Sequence, residues 1–274
     1  MSKCGPIGVF DSGYGGLTVL NSLIQQLPDY DFIYLGDNAR TPYGNRSFEV
    51  VYEYTLQAVE KLFSMGCHLV ILACNTASAK ALRTIQQKDL PRIDAHRRVL
   101  GVIRPSVEVV NQFSLTGHIG VVGTIGTVQS LSYPLEIEKL YPSMTVVQEA
   151  CPMWVPLVEN GEAGLPGADY FVKKHLDHLF ANDPMIDTLI LGCTHYPLLM
   201  DKIRQYVPAN VQVVAQGDIV AKSLVDYLNR HPEMDAKCSK RSQLEFFTTE
   251  STQKFSQAAA LFLDRSVDVK HLTL

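Results

Sequence analysis

No two of the six cysteines (Cys4, Cys67, Cys74, Cys151, Cys193, Cys238) form a C-x-x-C pair, so neither a disulfide framework nor a structural zinc site is indicated. Residues 1–10 lack the charged-then-apolar layout of a signal peptide. The longest apolar runs, such as LVILAC at 69–74, fall far short of the roughly 20 residues a membrane helix needs. The expectation is a cytoplasmic protein without membrane contact. An excess of basic charge is also missing: 24 Lys and Arg against 28 Asp and Glu give a net charge of −4. That provides no basic field to collect nucleic acid or anionic lipid, and favours a small-molecule partner. Low-complexity tracts are absent, and 46% hydrophobic with 19% charged residues excludes disordered, collagenous and coiled-coil chains. Each cysteine is therefore either a small core residue or a reactive thiol.

What is present is a rhythm of short apolar runs alternating with longer amphipathic ones, the pattern of strands buried under helices on both faces of a mostly parallel sheet. The runs at 7–10, 31–36, 68–73, 99–103, 119–123, 144–148, 188–191, 211–215, 244–248 and 267–272 predict ten strands. Between 47 and 65 the apolar positions keep helical spacing, with Ser47 as N-cap and Gly66 as the stop. Two internal echoes point to similar halves. IGVF at 7 recurs as IGVV at 119, and LVILACNT around Cys74 recurs as TLILGCTH around Cys193. The polar stretch 231–243 reads as a loop, and Cys238 within it as an incidental thiol.

The chemistry gathers at predicted strand ends, where open parallel sheets bind ligands. The junction FDSGYGGL at 10–17 places Asp11 and Ser12 before a glycine-rich turn and a helix over 17–27. Its G-x-G-G spacing lacks the full dinucleotide fingerprint, and a tight turn with Asp11 as helix cap is the plainer reading. A second loop, LGDNARTPYG at 35–44, offers Asp37, Arg40 and Tyr43. Cys74 stands where a strand gives way to a helix and is followed by Asn75 and Thr76, so the helix N-terminus is expected to lower its pKa. Cys193 ends the corresponding strand of the second half and is followed by Thr194 and His195. Two thiols facing one ligand suit a reaction that removes a proton from one face of a carbon and returns one to the other; a dithiol redox pair is the competing reading. The segment 150–161, with two prolines before Glu159, reads as an ordered loop that could project this carboxylate toward Cys193. His175 and His178 share a helix face but have no third ligand nearby in sequence, which favours a solvated face over a metal site.

Taken together, DSGYGGLTV at 11–19, LGDNARTPYG at 35–44, ILACNTASA at 71–79, GVIRPS at 101–106, VGTIGTVQS at 122–130, CPMWVPLVENG at 151–161 and GCTHYP at 192–197 resemble the glutamate racemases, cofactor-independent isomerases that supply D-glutamate for bacterial peptidoglycan. The resemblance implies an α/β fold of two pseudo-symmetric lobes with the active site between them. The first lobe would hold 1–98 and 208–274, and the second 99–207. It makes Cys74 and Cys193 the proton-transfer residues, acting on the D- and L-enantiomer respectively, with Asp11 assisting Cys74 and His195 with Glu159 assisting Cys193. Substrate contacts would come from Asp11, Ser12, Tyr43, Gly44, Asn75, Thr76, Thr194 and His195. The resemblance implies no pyridoxal phosphate, no metal, and a homodimer. Departures from the family pattern are Tyr14, where a small or branched residue is usual, and Met153 with Trp154, where an aliphatic and Phe pair is usual. Asp11 lies close to the start of the sequence, so activity is expected without a cell-wall precursor as activator. Alternatives are an aspartate or hydantoin racemase or a decarboxylase of the same superfamily, and a binding protein that has kept the fold, including one that restrains a topoisomerase.

Overall fold

In a computed structural model, which describes residues 4–263 and 265–274, the ten predicted strands are all present: β1 (Ile7–Asp11), β2 (Phe32–Gly36), β3 (Leu69–Leu72), β4 (Arg98–Gly101), β5 (His118–Gly123), β6 (Thr145–Ala150), β7 (Thr188–Gly192), β8 (Gln212–Val214), β9 (Leu244–Thr248) and β10 (Val269–His271). They form two sheets with parallel pairing throughout, ordered β10-β9-β2-β1-β3-β4 and β6-β5-β7-β8. Within them, β2-β1-β3-β4 and β6-β5-β7-β8 have the same succession, so the two sequence echoes mark equivalent strands, β1 with β5 and β3 with β7. The first sheet is larger because β9 and β10, from the end of the chain, extend it beyond β2.

The central strands are apolar without alternation because helices cover both their faces. Val9 packs with Leu20 and Leu224 on one side of the first sheet, while its neighbour Phe10 packs with Val59 and Leu62 on the other. In the second sheet Val122 clusters with Leu176 and Leu189 on one side, and Val121 with Ile137 and Ile190 on the other. Each of these buried apolar side chains stabilises the fold by roughly 1.5–3 kcal/mol relative to exposure. The helix Phe48–Ser64 is bounded as its sequence predicts: the Ser47 side chain accepts the Val50 N–H at 3.3 Å, and Gly66 takes φ +94° just beyond the end. Among the described residues no helix is long and apolar enough to cross a membrane.

The structure departs from the sequence reading at residues 102–103, 150–161, 231–243 and His175. The chain leaves the first sheet after Gly101 and the second after Val214. Val99 and Leu100 pair with Val70 and Ile71, and Gln212 to Val214 pair with Thr188 to Ile190. Residues 102 and 103 are not strand: Ile103 opens the helix Ile103–Glu108. Segment 150–161 holds a helix, Trp154–Glu159, which tolerates Pro156 because first-turn N–H groups have no partner within the helix. The stretch 231–243 is not a free loop. It contains the helix Pro232–Asp235, buries Met234 and Cys238, and is pinned by Asp31, whose carboxylate accepts the N–H groups of Arg241 and Gln243 at 2.8 and 2.9 Å. His175 is buried rather than solvated; it and His178 meet the two oxygens of Glu149 at 2.6 and 2.7 Å. Among the described residues no group of three or more His, Cys, Asp or Glu side chains could hold a metal ion.

Candidate active site

The carboxyl ends of β1, β3, β5 and β7 open on a common cavity, and the residues immediately beyond them form its walls. Cys74 occupies the N-cap position of the helix Asn75–Lys80, where its Sγ accepts the Ala77 N–H at 3.5 Å and lies 3.5 Å from the Ser12 hydroxyl. The backbone contact is the one the sequence predicts, but its electrostatic outcome is reversed. Burial pushes the Cys74 thiol up to about 12, the Asp11 carboxylate adds to this, and the Ala77 amide and Ser12 only partly oppose it. Cys74 is therefore held as a neutral thiol. Asp11 does not cap the helix Leu17–Gln26, whose N-cap is Gly16. Its carboxylate instead accepts the Gly13 N–H at 2.8 Å and the Thr194 hydroxyl at 3.3 Å. Burial raises its pKa, against the pull of His195, Gly13 and Thr194.

On the opposite wall, Cys193 Sγ lies 3.9 Å from His195 Nδ1, and His195 Nε2 lies 3.0 Å from Glu159 Oε1. Burial disfavours the imidazolium, yet the Cys193 and Glu159 contacts outweigh it and hold His195 up at about 10. Glu159 reaches this position from the last residue of the helix Trp154–Glu159. Trp154 anchors that helix, fully buried edge-on against Tyr196 with ring centroids 4.8 Å apart. The glycines of the 13–16 turn serve close packing. A Cβ on Gly15 would stand 2.4 Å from both His195 Nδ1 and Thr194 Oγ1, so only glycine lets the first lobe close on the second here.

The cavity measures about 50 Å³ and is lined by Ser12, Tyr43, Gly44, Cys74, Asn75, Thr76, Cys193, Thr194 and His195. Of the catalytic and substrate-contact residues implied by the resemblance, Asp11 and Glu159 lie behind this lining, each bonded to a member of it. Tyr43 is anchored by its hydroxyl, which donates to Asp37 at 2.5 Å, and Asp37 in turn is paired with Arg40. Thr41, Pro42, Asn45, Thr124, Cys151, Pro152, Val155 and Pro156 also line the cavity and were not anticipated. Thr124 was within reach of the duplication, because it follows β5 as Ser12 follows β1. Its hydroxyl meets that of Thr76 at 2.9 Å across the lobes, while Thr18 Oγ1 donates to the Thr194 carbonyl at 3.1 Å on the other side. A cavity this small lies well below the roughly 300 Å³ at the lower end of ligand pockets.

A family model described as Asp/Glu/Hydantoin racemase matches residues 7–224. A glutamate racemase from Ruegeria sp. (strain TM1040) is 40% identical over 271 residues, covering 95% of this chain and 97% of that protein. Among solved structures, a glutamate racemase isoform from Bacillus anthracis matches with a TM-score of 0.89 and 35% identity, covering 98% of both chains. A glutamate racemase from Francisella tularensis in complex with D-glutamate matches with a TM-score of 0.87 and 30% identity, covering 99% of this chain and 98% of that one.

Proposed function

This chain belongs to the Asp/Glu/Hydantoin racemase family, and on that premise we propose that Cys74 and Cys193 exchange the α-proton of glutamate across the cavity between the two lobes. The activity is that of a glutamate racemase, an amino-acid isomerase whose family-typical role is to supply D-glutamate for peptidoglycan. The observation that supports the two-thiol mechanism is that both cysteines, from equivalent strand ends, line one small cavity. Starting from L-glutamate, Cys193 takes the α-proton and Cys74 returns its own proton to the opposite face. That step leaves Cys74 as thiolate and Cys193 as thiol, and D-glutamate is taken by this second form, in which Cys74 removes the α-proton and Cys193 returns its own. The neutral Cys74 thiol is the acid form that the first direction needs.

The α-proton of an amino acid is very weakly acidic, so the carbanionic charge has to be met by donors already in place and by exclusion of water. Ser12, Thr76, Thr124 and Thr194 supply hydroxyl donors around the cavity, and closure of the lobes keeps water out. His195, held between Cys193 and Glu159, passes a proton to and from Cys193 between turnovers. Asp11 keeps Cys74 protonated and orients Thr194. The proposed step uses the two thiols alone and draws on no cofactor. A cytoplasmic location and a homodimer complete the reading, the latter checked by sedimentation.

The test is circular dichroism of the purified protein with L-glutamate and then D-glutamate in deuterated water, without added cofactor. Decay to zero from both sides with deuterium at the α-carbon is the expected result. Decay with aspartate but not glutamate would move the assignment to a sister racemase, and no decay with either would favour a binding protein.

A further inference from the structure

Behind the wall that carries Cys74 lies a buried polar ring that the proton-transfer chemistry does not use. Asn75 Nδ2 donates to Gln216 Oε1 at 2.7 Å, Gln216 Nε2 donates to the Tyr133 hydroxyl at 2.8 Å, and the Tyr133 hydroxyl donates to Asn75 Oδ1 at 2.7 Å. Gln216 Nε2 also reaches Ser106 Oγ at 2.7 Å and the Val102 carbonyl at 3.2 Å. The side chains involved are all buried. They come from four places in the chain: Asn75 beside Cys74, Val102 and Ser106 just after the first crossing, Tyr133 in the second lobe, and Gln216 just after the second crossing.

The polarity of this ring has one solution. A backbone carbonyl can only accept, so the Val102 oxygen obliges Gln216 to present its amide nitrogen on that side and its oxygen toward Asn75. The oxygen of Gln216 then obliges Asn75 to present its nitrogen, which leaves Asn75 Oδ1 to accept the Tyr133 proton. Turning either amide over would set two acceptors face to face in a buried site, which costs more than a lost hydrogen bond. With the ring closed, Asn75 has one N–H hydrogen uncommitted, in a side chain that lines the cavity.

We propose that Gln216 and Tyr133 are positioning residues that fix Asn75 as a hydrogen-bond donor toward the carboxylate-bearing substrate, with the orientation set by the Val102 carbonyl of the crossing segment. The inference rests on the reading of the site given above. It makes affinity for a dicarboxylate depend on residues outside the cavity, and ties that affinity to the two segments that connect the sheets.

The experiment measures KM and kcat for both glutamate enantiomers in the wild type, Tyr133→Phe, Asn75→Ala, the double variant and Ser106→Ala, each checked for folding by thermal melting. The equilibrium constant between enantiomers is one, so kcat/KM falls equally in both directions whatever the cause. The informative readout is how that fall divides. Loss of a binding contact made equally in ground and transition states raises KM and leaves kcat in place. Tyr133→Phe is expected to raise both KM values about tenfold, in keeping with a disturbed hydrogen bond to a charged group, with kcat within about twofold of wild type. It should have no further effect in the Asn75→Ala background, since neighbours acting through one contact are not additive. Ser106→Ala removes one anchor of Gln216 but leaves the ring and the Val102 carbonyl that fixes the amide's orientation in place, and should leave KM unchanged. An unchanged KM in folded Tyr133→Phe, the same tenfold rise on top of Asn75→Ala, or an equal rise in Ser106→Ala would overturn the inference. Should Tyr133→Phe fail to fold, Gln216→Glu carries the same cycle, because its carboxylate presents an acceptor to Val102. A wild-type protein that leaves glutamate unchanged overturns the reading of the site and this inference together, whereas turnover with any of the adverse patterns overturns this inference alone.

Discussion

Replacing Gly15 by alanine isolates the contact between the lobes at the point where it touches the chemistry. The added Cβ would stand 2.4 Å from His195 Nδ1 and Thr194 Oγ1, against an ordinary contact of 3.4 Å or more, so the second lobe must yield by about 1 Å. His195 is fully enclosed between Cys193 and Glu159 and cannot swing aside within its own wall. The shift therefore lengthens the 3.9 Å approach to Cys193 or moves Thr194 off Asp11. Overpacking of this kind costs about 1–3 kcal/mol of stability, and a 1 Å misplacement of a reacting group costs on the order of 100-fold in rate. Gly15→Ala should thus remain folded at 25 °C, melt a few degrees lower, and racemise glutamate on the order of 100-fold more slowly. Gly164→Ala is the control, because nothing lies within 4 Å of its added Cβ; it should match wild type in both respects. The assay is polarimetric racemisation alongside thermal melting of the three proteins. Gly15→Ala with kcat within about threefold of wild type would refute the claim that this glycine is required by the closed geometry.

Three further outcomes follow from the geometry. Cys74→Ala and Cys193→Ala should each reduce racemisation by at least about 1,000-fold, since neither direction proceeds without both a base and an acid; near-normal turnover in either would remove the two-thiol assignment. Because His195 is held at about 10, above its ordinary 6.5, the folded protein keeps a proton between those values that the unfolded chain releases. That stabilisation is complete below about pH 6.5 and is lost as pH rises toward 10, so the melting temperature should fall across this window, and less steeply in Glu159→Gln; parallel curves would contradict the His195–Glu159 contact. Burial disfavours the Asp31 carboxylate, but the nearby Ser239 hydroxyl and hydrogen bonds from Gln243 and Arg241 outweigh it and lower its pKa, a contribution lost on acidification below about pH 4. Asp31→Ala, which strands two backbone N–H groups, should lower unfolding stability by roughly 1–3 kcal/mol with kcat unchanged, as read by urea titration.

The parts of the molecule legible from sequence are those whose causes are local. Strand runs, the cap at Ser47 and the stop at Gly66 announce themselves within a few residues, and so do Cys74 and Cys193, because a thiol between an apolar run and a polar dipeptide marks a strand end. What escaped depends on partners far along the chain. The helix carrying Glu159 was hidden by Pro152 and Pro156, although its support is Trp154 against Tyr196. Cys238 sits in a polar stretch, yet Gly5 and Asp31, more than 200 residues away, hold that stretch against the first sheet. The Cys74 thiol shows the same limit in its electrostatics: the helix N-terminus is visible in the sequence, but burial and the carboxylate of Asp11, 63 positions upstream, decide the outcome. The Gln216 ring joins four segments and has no local signature.

The completion of the first sheet by β9 and β10 has a consequence for biosynthesis. All four strands of the second sheet lie in one continuous stretch, from His118 to Val214, so that lobe can fold as it emerges from the ribosome. The first lobe, although it begins the chain, must wait for Leu244–Thr248 before β2 gains its second neighbour along Phe32–Gly36. Until then the nascent protein presents an open, apolar strand edge of the kind that invites pairing between chains. The half made first is the half finished last, and its exposed edge is the place where a holdase would be most useful to a ribosome-bound chain.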